Sequence, residues 1–382
     1  MTLPHFSISS ATLTVTKGRA ILLLAFDVGF SIDLAAADRL LAKDAASSEG
    51  RGVLQRIRRS PRYFAYNPAP LRVARPASPI PLANTSTAHA IEATIFDFGA
   101  VSLSYSLPIL GTLPDLLHIS ESLYENESIL ADARARLDEL LTLLAPAIRQ
   151  PAIAPIVEDY AIFQIEESSI SLDGSSCTLD NFLASARAPL AAILRAESTP
   201  LSTHEIDDAL ASRLSYSTTD AALIDFNAAI LFDPTPADAT AALEFANVEL
   251  LEMRFLDDRL DQSLETAYTL LQSRGSRRFA IHDRAIARVA QLQADNTMLF
   301  EGVNNALKLL GDQHLARLYR LATNRFHLPE WDQSVLRKLS TIDSIYQKLA
   351  DRATVRRMEI LEWIIILLIA FEIVMSLIDR LF

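Results

Sequence analysis

The residues best suited to chemistry are two acidic knots and one polar helix face. His204-Glu205-Ile206-Asp207-Asp208 puts His204 and Asp208 one helical turn apart, a spacing that could hold a cation but first of all marks an exposed helix start. Asp257-Asp258-Arg259-Leu260-Asp261, with Arg254 just before it, reads as an ion-paired face, or else as a meeting point for a basic partner or a divalent cation. On the same stretch Asn247, Glu249, Glu252 and Arg254 are interleaved with Phe245, Leu250, Leu251 and Phe255. An inward-facing Asn247 or Glu252 demands a partner, because an unpaired buried polar group is costly, and Arg284 or Arg288 could supply it. Such a network of Asn247, Glu252 and Arg284 is structural first and a ligand site second.

The usual catalytic signatures are missing. Seven histidines show no HExxH and no pairing at one-turn spacing, and the lone Cys177 allows neither a disulfide framework nor a thiolate cage. No G-x-S-x-G, Walker or dinucleotide fingerprint occurs, and ten glycines in 382 residues leave little room for phosphate-cradling loops. The sequence therefore offers no catalytic residue, no metal ligand, no cofactor and no small-molecule substrate, and the expectation is that the protein is not an enzyme.

Charge is unevenly spread. The formal balance is −12, yet residues 51–91 carry seven arginines and no acid. Arg51, Arg56, Arg58, Arg59 and Arg62, with Tyr63 and Tyr66 among them, could grip an anionic partner such as RNA, the ribosome or a lipid surface. Prolines at 61, 68, 70, 76, 79 and 81 favour instead a solvated, extended connector.

The elements that must position these residues form an α+β chain. Residues 13–16 and 20–26 read as strands, and 34–45 as a helix with Asp33 as its N-cap. Beyond the connector, 91–98 and 100–105 flank Gly99 as a strand pair or one bulged strand. Further helices are expected at 129–144 and 179–195, a strand at 157–165, and an apolar run at 221–232 before the Asp233-Pro234-Thr235-Pro236 break. This gives a mixed α/β domain over 1–235 and a domain of long antiparallel helices over 236–357. No strand is expected after 237. In the last helix a heptad seam through Val335, Leu339, Ile342, Tyr346 and Leu349 asks for a partner, either the helix at 286–310 of the same chain or a second subunit.

The carboxyl end, 358–382, reads as a transmembrane anchor. Residues 360–378 come to about 28 Å as a helix, against a hydrocarbon thickness of about 30 Å. Trp363 sits at the entry, Glu362 can reach the headgroups, and Arg356 and Arg357 precede the run, which predicts the amino-terminal body in the cytoplasm. Glu372 lies about 15 Å deeper than Glu362 and needs a proton or a partner there. A buried core helix and a soluble oligomer seam are the other readings of this segment.

The run Arg356-Arg357-Met358-Glu359-Ile360-Leu361-Glu362-Trp363, continuing through isoleucines to Phe371-Glu372-Ile373, resembles the ending of the required-for-meiotic-nuclear-division family, a domain of unknown function. Residues 19–23, 32–34, 95–101 and 243–252 agree with it in order. The resemblance implies an integral membrane protein whose mitochondrial relatives support translation on the inner membrane, and it implies no catalytic residue. Without a transit peptide, this chain reads as a bacterial member, single-pass in the cytoplasmic membrane. The expected function is that of a membrane-anchored scaffold or tether acting through self-association and protein or ribonucleoprotein contacts, and a homo-oligomer is expected. The alternative is an enzyme of unassigned chemistry with its site between the α+β body and the helices.

Overall fold

The computed structural model describes residues 11–47, 55–56, 64–66, 68–272, 307–309 and 313–381. Its centre is β1 (Ala11–Asp27), a seventeen-residue strand. Up to Val15 every second residue is buried, as in a half-covered sheet; from Ala20 onward burial is continuous, because both faces are covered. The two expected strands at 13–16 and 20–26 are thus one. The register slips at Lys17, and Gly18 allows the close approach that follows: a Cβ there would meet the Gln164 carbonyl oxygen at 2.5 Å.

After β2 (Gly29–Ile32) comes α1 (Leu34–Ser47), capped by the Asp33 carboxylate accepting from the Ala36 amide at 2.9 Å. Three strands then build one half of the sheet: β3 (Leu71–Pro76), β4 (Ala90–Ile95) and β5 (Ala100–Pro108). Part of the expected connector is therefore sheet. The pair β4 and β5 turns at Gly99, whose φ of +106° is open to glycine alone among ordinary residues. Next come α2 (Leu113–Leu123), α3 (Glu127–Leu144), β6 (Ile148–Pro151) and β7 (Val157–Leu172). The expected helix at 179–195 is broken at Ala186 into α4 (Leu179–Ser185) and α5 (Arg187–Arg195), and α6 (Thr203–Ala209) follows. The apolar run at 221–232 is a hairpin of β8 (Ala221–Ile224) and β9 (Ala228–Phe232).

The large sheet runs in the order β8, β9, β7, β1, β5, β4, β3, with two-residue strands at both edges. Neighbours are antiparallel except β7 and β9, which pair in parallel, Ile162 opposite Ala229. One face packs Leu22, Leu24 and Phe26 with Leu116, Phe182, Leu190 and Ile193 of the helices in a continuous apolar core. The opposite face meets α7 (Ala237–Gln272), whose Phe245 lies edge-on to Phe96 and Phe98, with ring centroids at 6.0 and 6.4 Å.

Two helices follow α7 among the described residues, α8 (Gln313–Arg325) and α9 (Leu328–Leu381). Residues 307–309, expected in a helix, form a short strand paired with Phe64–Tyr66. Two compact units result: residues 1–255 with 302–331, and 256–301 with 332–382. In the second unit α9 pairs with the distal half of α7. Lys338 Nζ lies 2.8 Å from Asp257 and 2.6 Å from Asp261, and Ser334 donates to Asp257 at 3.1 Å. The seam of α9 runs through Val335, Lys338, Ile342 and Ile345 and is met by residues 257–261 of α7; most of the partner expected at 286–310 lies outside the described residues. Two carboxylates one turn apart are what a single ammonium can bridge.

Among the described residues, no helix is long and apolar enough to cross a membrane. The span expected at 360–378 is thereby corrected: Glu362 and Glu372, both exposed, interrupt its apolar side chains.

Candidate functional site

Two features stand out, one in each unit. The first is a polar layer buried between the sheet and α7. On the strands it consists of Asp27 from β1, Thr94 from β4, Ser102 from β5, and Glu158 and Gln164 from β7, all 5% exposed or less. The register explains their convergence: Ala25 lies opposite both Ser102 and Glu158, Asp27 is two residues further along β1, and side chains two apart share a face.

From α7 come the buried Glu244, Asn247, Glu249 and Glu252; Glu249, two residues from Asn247, stands on nearly the opposite side of the helix. Arg72 donates to Glu244 at 2.7 Å, Gln164 to the Thr240 hydroxyl at 2.5 Å, and Asn247 Nδ2 to the Glu158 carbonyl at 3.3 Å. Tyr319 of α8 donates to Glu249, and Arg254 to the Glu158 carboxylate. Burial pushes the Glu158 carboxyl up to about 7 in spite of Arg254 beside it.

Glu252 is the extreme member. It is 2% exposed, its Oε1 takes no hydrogen bond, and burial, reinforced by the nearby Asp27, raises its pKa well above the carboxylate range. Two buried carboxyls in one another's field oppose each other's ionisation, which favours the protonated form of Glu252. Both groups are only 2% exposed.

Of the three residues expected in a polar network, Asn247 and Glu252 thus stand in one layer; Arg284 lies outside the described residues. The partners came from the strands. Asp27 carried a legible signal, a lone acid ending the apolar run 20–26; Glu158 sits in a segment of ordinary alternation and carried none.

The first acidic knot is occupied with ion pairs. On α6, Asp207 meets Arg187, while Asp208 meets Arg195 at 2.6 Å and Arg325 at 2.7 Å; His204 is exposed. The second holds Lys338. Among the described residues no three of His, Cys, Asp and Glu gather to hold a metal ion. A cavity of about 170 Å³ opens beside β8, β9 and α8, with Asp220, Asp233, Asp238 and His314 on its walls.

The second feature is the end of α9. Trp363, Ile364, Ile365, Ile366, Leu367, Leu368, Ile369 and Phe371 are 47–65% exposed, and Ile373, Val374 and Met375 continue the pattern. Consecutive residues point in every direction around a helix, so the whole circumference is apolar and bare. Glu362 and Glu372, both exposed, are the acids within it. Arg356 and Arg357 lie on α9 just before it. In the arginine stretch, Arg56 and Tyr66 stand on the short strands Gln55–Arg56 and Phe64–Tyr66, while Arg51, Arg58, Arg59, Arg62 and Tyr63 lie outside the described residues.

Residues 17–239 match the family described as "Uncharacterized protein MJ0711, N-terminal domain", and the chain belongs to that family. A curated relative, "Uncharacterized protein MJ0711" of Methanocaldococcus jannaschii, is 26% identical over 204 residues, covering 52% of this chain and 62% of its own length. The chain thus matches less than two thirds of that relative. No solved structure matches. These findings overturn the resemblance to the required-for-meiotic-nuclear-division family and, with it, the expectation of a bacterial member. That resemblance leaned on the isoleucine-rich run 356–373, a composition many unrelated helices share, and the run lies wholly beyond the matched residues.

Proposed function

We propose that this protein is a non-enzymatic, membrane-associated tether, in which the α+β unit is the cargo-binding body and the end of α9 is buried in lipid. One observation carries the reading: the unbroken apolar run of residues 363–371, exposed on every side of the helix. A partner helix covers one stripe of such a surface, whereas a lipid phase covers all of it. Monomeric soluble proteins rarely leave so large a contiguous apolar patch in water.

The flanking residues fit the same environment. Trp363 marks an interfacial position, and Arg352, Arg356 and Arg357 precede it on the side where anionic headgroups attract cations. The mechanism is localisation: attachment raises the effective concentration of whatever the body binds near the membrane.

The test is fractionation of the full chain and of a version ending at Arg357. The full chain is expected in the carbonate-resistant membrane pellet and the shortened one in the supernatant. Identical behaviour of the two refutes the lipid reading.

A further inference from the structure

We propose that Asp27 and Glu252 form a latch worked by one proton. While the pair keeps a proton, the turn of α7 that carries Glu252 stays docked on the sheet; when both carboxyls are ionised, that turn lifts away and water enters the polar layer.

Hydrogen-bond donors are unevenly shared among the buried acids. On α7, Glu244 accepts from Arg72 of β3, and Glu249 accepts from Tyr319 of α8. On β7, Glu158 accepts from Arg254, while Thr94 of β4, Ser102 of β5 and Gln164 of β7 are neutral. Glu252 has no such donor among the described residues: its Oε1 takes no hydrogen bond, and the charge that acts on it is that of another acid, Asp27 at the end of β1.

Burial decides what such a pair needs. Two ionised carboxyls in one another's field, with neither water nor a cation between them, repel each other and lack hydration; one shared proton removes a charge and supplies an O–H donor. The docked arrangement is therefore the singly protonated one. Ser102 adds to the demand for water, since its hydroxyl is buried without a hydrogen bond among the described residues, on the sheet face that also bears Asp27. Opening hydrates Glu252 and Ser102 together.

The position of Glu252 keeps the opening local. It stands three residues before Phe255, where α7 leaves the first unit, so its turn is the last that the helix contributes there. Earlier turns are held by Phe245 against Phe96 and Phe98 and by Asn247 on the Glu158 carbonyl. The pair of Arg254 and Glu158 opposes the lifting, and most strongly when Glu158 is ionised. Neutralising Glu158 therefore eases the opening, whereas neutralising either member of the latch prevents it.

Hydrogen-deuterium exchange of the full chain tests this, with each rate divided by that of unstructured peptide at the same pH. From pH 6 to pH 9 the protection of amides 249–255 in the parent is expected to fall about tenfold or more, while that of α2 holds. Glu252→Gln and Asp27→Asn, in which a carboxamide donates to the remaining carboxylate, should each abolish the fall, and Glu158→Gln should keep it. Circular dichroism checks that each variant is folded, and either latch variant suffices to read the pair. Constant protection of 249–255 in the parent overturns the proposal, as does a fall that persists in a folded latch variant. Loss of protection by α2 in step with 249–255 overturns it too, because the whole unit is then losing stability and no latch is opening.

Discussion

Arg325 donates to Asp225 Oδ1 twice, from Nε at 2.8 Å and from Nη2 at 2.5 Å, across one hundred residues of sequence. Arg195 Nε holds the other oxygen at 2.5 Å, and both arginines also reach Asp208. The Asp225 side chain is 1% exposed, so these guanidinium groups stand where water would otherwise meet it. Replacing Asp225 by Asn leaves two guanidinium groups facing a neutral amide, and removing one partner of a buried ion pair costs about 3 kcal/mol. Urea denaturation is expected to show that loss in the midpoint with an unchanged slope, and Arg325→Lys to lose less, because the ammonium keeps a positive charge beside Asp225 even though it cannot serve both carboxylates with a planar fork.

Stability should fall as the solution turns from mildly acidic to neutral. The Glu158 carboxyl, pushed up by burial to about 7, stays protonated in the folded chain over a range where the unfolded chain has lost its proton. The folded state therefore binds more protons between about pH 4.5 and 7, and its advantage shrinks as pH rises through that window, by up to about 3 kcal/mol. Glu252, raised further by burial and by Asp27, acts in the same direction. Thermal melts of the parent and of Glu158→Gln from pH 5 to pH 8 check this: the parent should lose stability relative to the variant as pH rises. Asp208 works in the opposite sense at the acid end. Arg325 and Arg195 hold its carboxyl well below the usual range, and that contribution is lost as pH drops below about 4.

Gly99→Ala and Gly174→Ala should differ in kind. A Cβ on Gly99 would stand 1.9 Å from the Gly29 carbonyl oxygen, at a φ of +106°, so the β4 to β5 turn cannot keep its path. On Gly174, at φ +77°, it would meet nothing within 4 Å. The second change costs only the left-handed strain, about 1 kcal/mol, and the first more than about 2 kcal/mol. Chemical denaturation of the two variants side by side reads the difference.

Lys338→Met tests the pairing within the second unit. With side chains only 16% and 18% exposed for Lys338 and Asp257, loss of the ammonium leaves Asp257 and Asp261 repelling each other. Amides around Val335 and Ile342 are expected to exchange with deuterium at least tenfold faster, while those of β1 keep their protection.

What was legible followed from local signals. Asp33 before an alanine-rich run announced the cap of α1, and Gly99 between two apolar segments announced the turn of β4 and β5. The helix α2 escaped notice although Thr112-Leu113-Pro114-Asp115 carries its start: the Thr112 amide and hydroxyl both donate to Asp115, at 2.7 and 2.8 Å. The break at Ala186 has a local cause that went unread: Pro189 has no amide hydrogen for the Ser185 carbonyl and its ring would clash with it, so α4 cannot run on into α5. The polar layer was half visible. Asn247 and Glu252 betray themselves by sitting among phenylalanines and leucines, but their partners Glu158 and Asp27 are fixed by strand register, which no spacing within one segment encodes.

The first unit is not continuous in sequence. The chain leaves it within α7 and returns to it at Gly302, and in α8 Arg325 and Tyr319 complete contacts made to Asp225 and Glu249. During synthesis the amino-terminal strand β1, which is the middle of the sheet, must wait for β7 before it has neighbours on both sides. Asp225 must wait still longer for Arg325, so the last ion pairs close only when all but the final fifty-seven residues of the 382 have been made. Folding of this body is therefore late and governed by contacts far apart in the chain, which makes it slow, and dependent on the chain's return from the second unit.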